Sequence, residues 1–195
     1  MALFTESELR QRAKTKIRSE FTKTASSILT EASKDFRSYK TYDIFISHSF
    51  LDSEIILGIK LILEDLGYST YVDWINDPSL DRSNVNKETA EQLRKRLKSS
   101  KSLFYVTTEN SSYSKWMPWE CGYFDGFRSK VAILPVTKFK SYSFSGQEYL
   151  SLYPYCESSK SNAGKEVLWI HKDSKTYTTF DEWLRKDEDL ITWKT

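Results

Sequence analysis

The sequence predicts an α/β fold built on a parallel sheet with helices on both faces. Four short segments rich in β-branched and aromatic residues alternate with helical patterns along most of the chain. Such alternation is typical of βαβ units, in which each helix crosses from one parallel strand to the next. The 195 residues suffice for one domain of ordinary size plus an extension.

The N-terminal residues predict a helical extension ahead of this domain. Between residues 5 and 37 apolar side chains recur every three or four positions without Gly or Pro, which favours one long amphipathic helix. We therefore predict an extension over residues 1–40 and a domain over residues 41–195. For the helix we favour packing or self-association over nucleic-acid binding, because its modest positive charge is ordinary for a solvated face.

The predicted domain follows a regular order of strands, helices and loops. Its strands are short apolar runs, which indicates that both of their faces are buried. One long segment between the second strand and the next helix is rich in turn residues, and loops of that length are often functional. The predicted strands are residues 42–47, 68–73, 102–107 and 131–136; the helices are residues 52–66, 84–99 and 110–127; the long loop is residues 74–83.

The pattern loosens after Thr137. Residues 167–171 predict a fifth strand at an edge of the sheet, and residues 180–185 predict a short closing helix. No internal repeat or low-complexity linker separates these residues from the rest, so we place them in the same domain.

Composition argues against several classes of protein. The 29 basic and 27 acidic residues nearly cancel, so no global charge points to nucleic acid or an anionic membrane as partner. Cys121 and Cys156 are the only cysteines, which fits a reducing, cytoplasmic location without a disulfide framework. His48 and His171 do not complete any zinc spacing with them, and we predict no metal site. No apolar stretch reaches the roughly 18 residues that a membrane helix needs.

Residues 110–127 predict a turn that opens into a short aromatic helix with one early carboxylate. Three serines of the turn are candidate N-caps, and Pro118 is harmless in a first turn, where its missing N–H has no partner to lose. Glu120 then lies in or just after the first turn. A surface glutamate that complements the helix dipole is the alternative. At helical spacing, the residues that share its face are Trp116, Tyr123 and Phe127.

Several polar residues are predicted to meet at one edge of the sheet. In open parallel sheets, ligands bind beyond the carboxyl ends of the strands, because the strand-to-helix loops converge there. Ser47-His48-Ser49 follows the first strand, Asp73-Trp74 follows the second, and residues 107–110 follow the third. Glu120 belongs to the helix that comes next. The six glycines are scattered and form no phosphate-cradling loop.

Three of these segments together resemble the Toll/interleukin-receptor (TIR) domain family. Residues 42–49, Tyr-Asp-Ile-Phe-Ile-Ser-His-Ser, resemble its first box. Residues 71–74, Tyr-Val-Asp-Trp, with the loop up to Ser83, resemble its BB loop, and Ser114-x-Trp116-x-x-x-Glu120 resembles the segment that holds the catalytic glutamate of its NAD-cleaving members. The match covers roughly residues 41–136. Pro118 departs from the expected pattern.

The resemblance implies a flavodoxin-like, doubly wound sheet and cleavage of the nicotinamide–ribose bond of NAD. Enzymatic members hydrolyse NAD, cyclise the ADP-ribose or transfer it, and bacterial members, including those of Thoeris anti-phage defence, make a nucleotide signal for an effector. NAD would be a substrate, and no cofactor is expected. By the same resemblance Glu120 is catalytic, and the substrate-binding residues are Phe45, Ser47, His48, Ser49, Asp73, Trp74, Ser114 and Trp116.

The chemistry suits a site with one carboxylate. Ordinary glycosidases need two, one of them to protonate the leaving group. In NAD the nicotinamide already carries the positive charge and departs neutral, so one carboxylate can suffice by stabilising the oxocarbenium ion. Aromatic faces attract a pyridinium ring by roughly 0.5 to 2 kcal/mol, and the candidates are Phe45, Trp74 and Trp116.

We therefore expect an NAD-cleaving TIR enzyme of bacterial antiviral signalling that forms a homo-oligomer and reaches an effector through its nucleotide product. Two alternatives stay open. One is a non-enzymatic TIR module that acts by self-association, and the other is an enzyme like the nucleoside deoxyribosyltransferases, which share the sheet type and a carboxylate.

Overall fold

The fold is organised around one eight-stranded sheet. The computed structural model describes residues 2–37, 39–74, 87–142, 144, 146, 148–161 and 163–195. The strands are β1 (Phe4–Thr5), β2 (Tyr42–Ser47), β3 (Thr70–Val72), β4 (Ser100–Thr107), β5 (Val131–Thr137), β6 (Tyr155–Lys160), β7 (Glu166–His171) and β8 (Tyr177–Thr179). Their order across the sheet is β3-β2-β4-β5-β6-β7-β8, and β1 pairs with β5.

Helices cover both faces of the sheet. They are α1 (Glu6–Ser19), α2 (Ala25–Lys34), α3 (Ser53–Asp65), α4 (Lys87–Lys98), α5 (Trp116–Arg128) and α6 (Phe180–Arg185). On β2, Ile44 and Ile46 pack into the core formed with α1, α2, α3 and α6, whereas Phe45 packs into the core formed with α4 and α5. Because side chains alternate along a strand, one strand supplies both cores. The predicted α/β architecture is confirmed.

The sheet is parallel in its central part and antiparallel at one end. β2 pairs in parallel with β3 and β4, and β5 pairs in parallel with β4 and β6. β6, β7 and β8 form an antiparallel ribbon. The predicted fifth strand exists as β7, but the prediction that it lies at an edge is wrong, because β6 and β8 flank it. Neither flanking strand was predicted.

Most predicted elements of the central part are confirmed. The strand over residues 42–47 has its predicted bounds, and the helix predicted over residues 52–66 spans Ser53–Asp65. Gly67 follows it with φ 91°, a left-handed conformation that suits a helix C-terminus. The closing helix also has its predicted bounds, Phe180–Arg185. Residues 75–83 of the predicted long loop lie outside the described residues.

The single N-terminal helix is a wrong prediction. α1 ends at Ser19 and α2 begins at Ala25, and Phe21 between them has φ 39°. The break has a physical cause, because the Thr24 hydroxyl accepts a bond from the Ser27 amide, and the Ser27 hydroxyl accepts one from the Thr24 amide. This reciprocal capping starts a new helix, which apolar spacing alone does not reveal.

Both N-terminal helices pack into the core of the sheet. Leu9 of α1 and Leu29 of α2 are fully buried and belong to the same apolar cluster as Ile44 and Ile46. α1 crosses α3 so closely that a Cβ on Gly58 would stand 2.3 Å from the Leu9 carbonyl oxygen. The boundary between residues 40 and 41 stays a prediction. Among the described residues no helix is both long and apolar enough to cross a membrane.

Candidate active site

The start of α5 places Glu120 at the carboxyl edge of the sheet. α5 begins at Trp116, and the Ser114 hydroxyl accepts a hydrogen bond from the Met117 amide at 3.3 Å. Pro118 is the third helical residue, where an amide hydrogen would have no partner within the helix, so proline fits there. Glu120 follows one turn into the helix and is only 1% exposed.

Glu120 contacts the end of β2 directly. The fully buried Ser47 hydroxyl donates a hydrogen bond to Glu120 Oε2 at 2.6 Å. Hydroxyl bonds to an ionised carboxylate commonly measure about 2.5–2.7 Å. The alternative of a solvent-facing Glu120 is therefore wrong, since a strand residue holds this carboxylate in the interior.

Tyr105, which the sequence analysis did not single out, lies beside this pair. It is the register partner of Ser47 on the neighbouring strand β4, so both side chains leave the same face of the sheet. Burial, a hydrogen bond with Tyr149, and the charges of Cys121 and Glu120 raise the pKa of Tyr105 above its usual range. The site therefore contains a neutral phenol near the glutamate.

Trp74 and His48 form a stack on the other side of the β2 terminus. The centroids of the two rings are 4.9 Å apart and the rings are nearly parallel. The Phe50 ring also stacks on Trp74, with a centroid distance of 4.5 Å. His48 Nδ1 lies 2.9 Å from the Ile46 carbonyl oxygen. Since a carbonyl only accepts hydrogen bonds, Nδ1 carries the proton. The indole therefore packs against both the imidazole of His48 and the ring of Phe50.

Asp73 is engaged with its own strand and with α4. Its Oδ1 accepts a hydrogen bond from the Tyr71 hydroxyl at 3.2 Å and forms an ion pair with Arg96. Sequence reasoning did not single out Arg96. The pair ties the end of β3 to α4, and the role of Asp73 toward substrate stays a prediction.

Asp52 is another buried carboxylate that sequence reasoning missed. It accepts hydrogen bonds from the Thr108 hydroxyl at 2.6 Å and from the Asn110 side-chain amide at 2.7 Å. It thereby joins the loop after β2 to the loop after β4. The predicted convergence of these two loops at one edge is confirmed.

Comparison with known proteins relates the whole chain to a single type of enzyme. It is 51% identical over 194 residues to a protein of Bacillus cereus (strain MSX-D12) named probable 3' cyclic ADP-D-ribose synthase ThsB', and the match covers 96% of this chain and 100% of that protein. It is 39% identical over 92 residues to the putative cyclic ADP-D-ribose synthase TIR2 of Cytobacillus dafuensis, covering 47% of this chain and 24% of that protein. This chain belongs to the TIR-domain family. No family model matches the sequence.

The remaining predicted contact residues of this TIR domain are built into its interior. Phe45 is fully buried, with its ring 5.7 Å from that of Tyr71. The buried Ser49 hydroxyl accepts a long, 3.4 Å bond from the Leu51 amide, and the Trp116 ring is buried edge-on against Trp119. The TIR fold thus brings the predicted residues to one region, and their contacts with substrate stay predictions.

The predicted sharing of one helix face in the TIR domain is confirmed, because α5 is continuous from Trp116 to Arg128. Burial differs along this face: Trp116 and Glu120 are buried, whereas Phe127 is 39% exposed. Tyr123 and Phe127 also form a row with Trp119, in which successive ring centroids are 5.4 and 5.3 Å apart. Helical spacing predicts which residues share a face of α5, but it does not predict which of them are buried against the sheet.

Cys121 is an unreactive thiol of the TIR interior. Burial, opposed by a hydrogen bond with Tyr153, raises its pKa to about 11. The thiol therefore stays protonated near neutral pH and is a poor nucleophile. In the described part of the chain, no group of three or more His, Cys, Asp and Glu side chains could hold a metal ion.

Proposed function

We propose that this protein is an NAD-consuming cyclic ADP-D-ribose synthase with Glu120 as its catalytic residue. One observation supports the assignment above the others: a buried carboxylate, hydrogen-bonded by Ser47, lies where the carboxyl ends of the parallel strands meet. The full-length match to a protein named as such a synthase supports the same reaction. The geometry around Glu120 and the full-length match therefore support the same proposal.

Cleavage begins with loss of nicotinamide from NAD. The bond between the nicotinamide nitrogen and ribose C1 breaks, and its electron pair leaves with the nicotinamide, which becomes neutral. Positive charge then develops on the ribose as an oxocarbenium ion. Glu120 stabilises this ion because a fixed carboxylate in a water-poor site interacts with developing charge more strongly than it would in water. Ser47 holds the carboxylate in one orientation.

Cyclisation follows when a hydroxyl of the adenosine ribose attacks the same carbon atom. A C–O bond forms, the hydroxyl loses its proton, and the products are cyclic ADP-ribose, nicotinamide and one proton. Attack by the 3′ hydroxyl would give the isomer for which the Bacillus cereus relative is named. Attack by water would give linear ADP-ribose. The deep burial of Glu120 favours the internal nucleophile, because it restricts water near the carboxylate.

The other predicted contact residues have roles toward the same substrate. His48 and Trp74 offer an imidazole and an aromatic face at the end of β2, and Ser49, Asp73, Ser114 and Trp116 lie in the segments that enclose this edge. Tyr105 adds a neutral hydroxyl near Glu120. Phe45 supports the site from beneath, because it is fully buried against Tyr71.

The cyclic nucleotide would act as a signal in antiviral defence of the Thoeris type. A downstream effector that binds the nucleotide is the expected partner. A homo-oligomer, formed through TIR or N-terminal helix contacts, is the expected assembly. A cytoplasmic location follows from the same proposal, since NAD and the effector would be encountered there.

Product analysis tests this proposal. The purified protein is incubated with NAD, and nicotinamide, ADP-ribose and cyclic ADP-ribose isomers are separated by chromatography and identified by mass spectrometry. In parallel, NAD and its products are measured in extracts of cells expressing the protein. We expect cyclic product from the wild type and from the Glu91→Gln control on the exposed face of α4. Product formation that persists in Glu120→Gln would contradict the mechanism, and turnover of nucleosides in place of NAD would contradict the substrate.

A further inference from the structure

Helix α2 makes two polar contacts with Trp74, the second residue after β3. The Trp74 indole nitrogen donates to the Ser26 hydroxyl at 3.0 Å, and the Ser33 hydroxyl lies within donating distance, 2.9 Å, of two carbonyl oxygens, those of Trp74 and Thr30. The two serines are seven positions apart, so both lie on the side of the helix that faces the sheet. One helix therefore holds both the side chain and the backbone of Trp74.

These contacts do more than satisfy a buried indole. Trp74 is only 1% exposed, and the His48 and Phe50 rings both stack on its indole. A shift of the indole would displace the imidazole, since the two planes differ by only 8°. The orientation of His48 therefore depends on the orientation of Trp74.

His48 in turn lies next to the catalytic end of β2. Its Nδ1 is fixed on the Ile46 carbonyl, and the preceding residue, Ser47, donates to Glu120. A continuous set of contacts thus runs from α2 through Trp74 to His48, at the edge where substrate is proposed to bind.

The apolar residues of α2 stabilise the fold, and its polar residues orient Trp74. Leu29 and Ala25 are buried in the core and supply stability. Burial fixes the depth of the helix but does not set the angle of the Trp74 ring, because apolar contacts are not directional. Hydrogen bonds are directional, so Ser26 sets the direction of the indole N–H, and Ser33 holds the backbone that carries the ring.

We propose that α2 is a positioning element of the active site, in which Ser26 and Ser33 hold Trp74 and Trp74 orients His48 for contact with NAD. The substrate part rests on the proposed function. The contact between α2 and the stack stands on the geometry alone, so the two parts are tested by different measurements.

The test uses the double variant Ser26→Ala/Ser33→Ala, with Thr15→Ala as its matched control. Thr15 carries an exposed hydroxyl on α1 that donates a hydrogen bond within its own helix, to the Gln11 carbonyl. Imidazole signals are followed by NMR. With two histidines in the chain, assignment needs only one further variant, His171→Gln. The His171 signals, which arise between Tyr155 and Tyr177, serve as an internal reference.

We expect the His48 ring protons to move downfield in the double variant, because they leave the shielding region above the indole, while the His171 signals stay in place. The KM for NAD should rise roughly three- to tenfold, with kcat changed by less than about twofold. Each substitution removes one hydrogen bond that orients Trp74, and this affects substrate binding more than the chemical step. The Ser26→Thr/Ser33→Thr variant keeps both hydroxyls and should restore the wild-type values.

Several outcomes would overturn the proposal. Unchanged His48 signals would show that the serines do not set the stack, and the same changes in Thr15→Ala would make the effect nonspecific. A shifted stack with an unaltered KM would remove the link to substrate. A double variant that is unfolded at the assay temperature, beside a folded threonine variant, would assign the serines to stability instead. If the wild type does not consume NAD, the proposed function fails, and the NMR comparison still decides the contact.

Discussion

Two glutamates are buried equally in this molecule, but their surroundings differ. Glu120 and Glu157 are each 1% exposed, and each has a buried cysteine as its sequence neighbour. Glu120 lies on a helix at the carboxyl edge of the parallel strands, and Ser47 donates to it. Glu157 lies within the antiparallel ribbon, with one oxygen 3.2 Å from His171 Nε2.

The difference teaches that burial of a carboxylate does not by itself identify a catalytic group. The Glu157–His171 contact is too poorly aligned for a hydrogen bond, and it is enclosed by Tyr155 and Tyr177, whose rings stack on the imidazole. Glu157 lies on β6, three strands across the sheet from β2, which carries Ser47. This lateral separation distinguishes the two glutamates, and each prediction below tests the distinction.

The largest expected effect is loss of turnover in Glu120→Gln. The amide keeps the shape of the side chain but removes the negative charge that stabilises the oxocarbenium ion, so NAD turnover should fall by about 10²–10³-fold. Nicotinamide release measures the loss, with unfolding temperature as the check on folding. Glu157→Gln should retain turnover, and equal losses in both variants would remove the distinction between the two sites.

The second prediction concerns the stability of the antiparallel ribbon. Glu157→Ala removes most of a buried side chain that packs beside His171, and the free energy of unfolding should fall by about 1–3 kcal/mol. Urea denaturation followed by tryptophan fluorescence measures the change. The fraction that remains folded should turn over NAD at the wild-type rate. A catalytic defect without a stability loss would contradict the structural role of Glu157.

A smaller effect is expected for Ser47→Ala. The Glu120 carboxylate loses one hydrogen bond and some of its fixed orientation, so kcat should fall roughly tenfold. Ser102→Ala is the matched control, because Ser102 is also a buried strand serine, which donates to the Asp43 carbonyl at 2.7 Å far from the proposed site. Steady-state kinetics compare the two. An equal fall in both variants would mean that strand packing, not the Glu120 contact, matters.

The smallest effect is a difference in thiol reactivity between the two regions. Burial raises the pKa of Cys121 from 9.0 to about 11, and burial followed by the charge of Glu157 raises that of Cys156 well above its usual value. Both thiols keep their protons in the folded state at a pH where the unfolded chain loses them. Cys121 therefore contributes stability that is fully present below about pH 9 and is lost as pH rises toward 11.

Iodoacetamide labelling followed by mass spectrometry measures this reactivity. We expect slow labelling of folded protein at pH 8, faster labelling of Cys121 as the pH approaches 11, and the slowest labelling at Cys156, which is completely enclosed. Rapid modification of Cys121 at pH 7 would contradict the raised pKa.

The sequence predicts the elements whose signals are local. Apolar runs locate β2 and β5, and the motif around Glu120 identifies a carboxylate that the structure buries. The partner of that carboxylate requires the register of β2 against β4, which brings together residues 73 apart in the chain. Ser47 was therefore predicted at the pocket, but its contact with Glu120 was not, and Tyr105 was overlooked.

The missed elements carry weak or competing signals. β6 contains the run Cys-Glu-Ser-Ser-Lys, whose polar residues do not read as a strand without a partner to pair with. The break between α1 and α2 depends on hydroxyl caps at Thr24 and Ser27, which continuous apolar spacing conceals. Arg96 is distinguished from its charged neighbours only by the buried Asp73 that it meets.

The pairing of β1 with β5 has a consequence for the order of folding. The Thr137 hydroxyl bonds to the Phe4 carbonyl across 133 positions, whereas α2 reaches Trp74 across 48 positions or fewer. Contacts over shorter separations cost less loop-closure entropy and form sooner. During synthesis the hydrogen bonds between α2 and Trp74 can form before the residues of β5 have been translated. We expect the contacts between α2 and Trp74, at the proposed catalytic edge, to form before β1 pairs with β5.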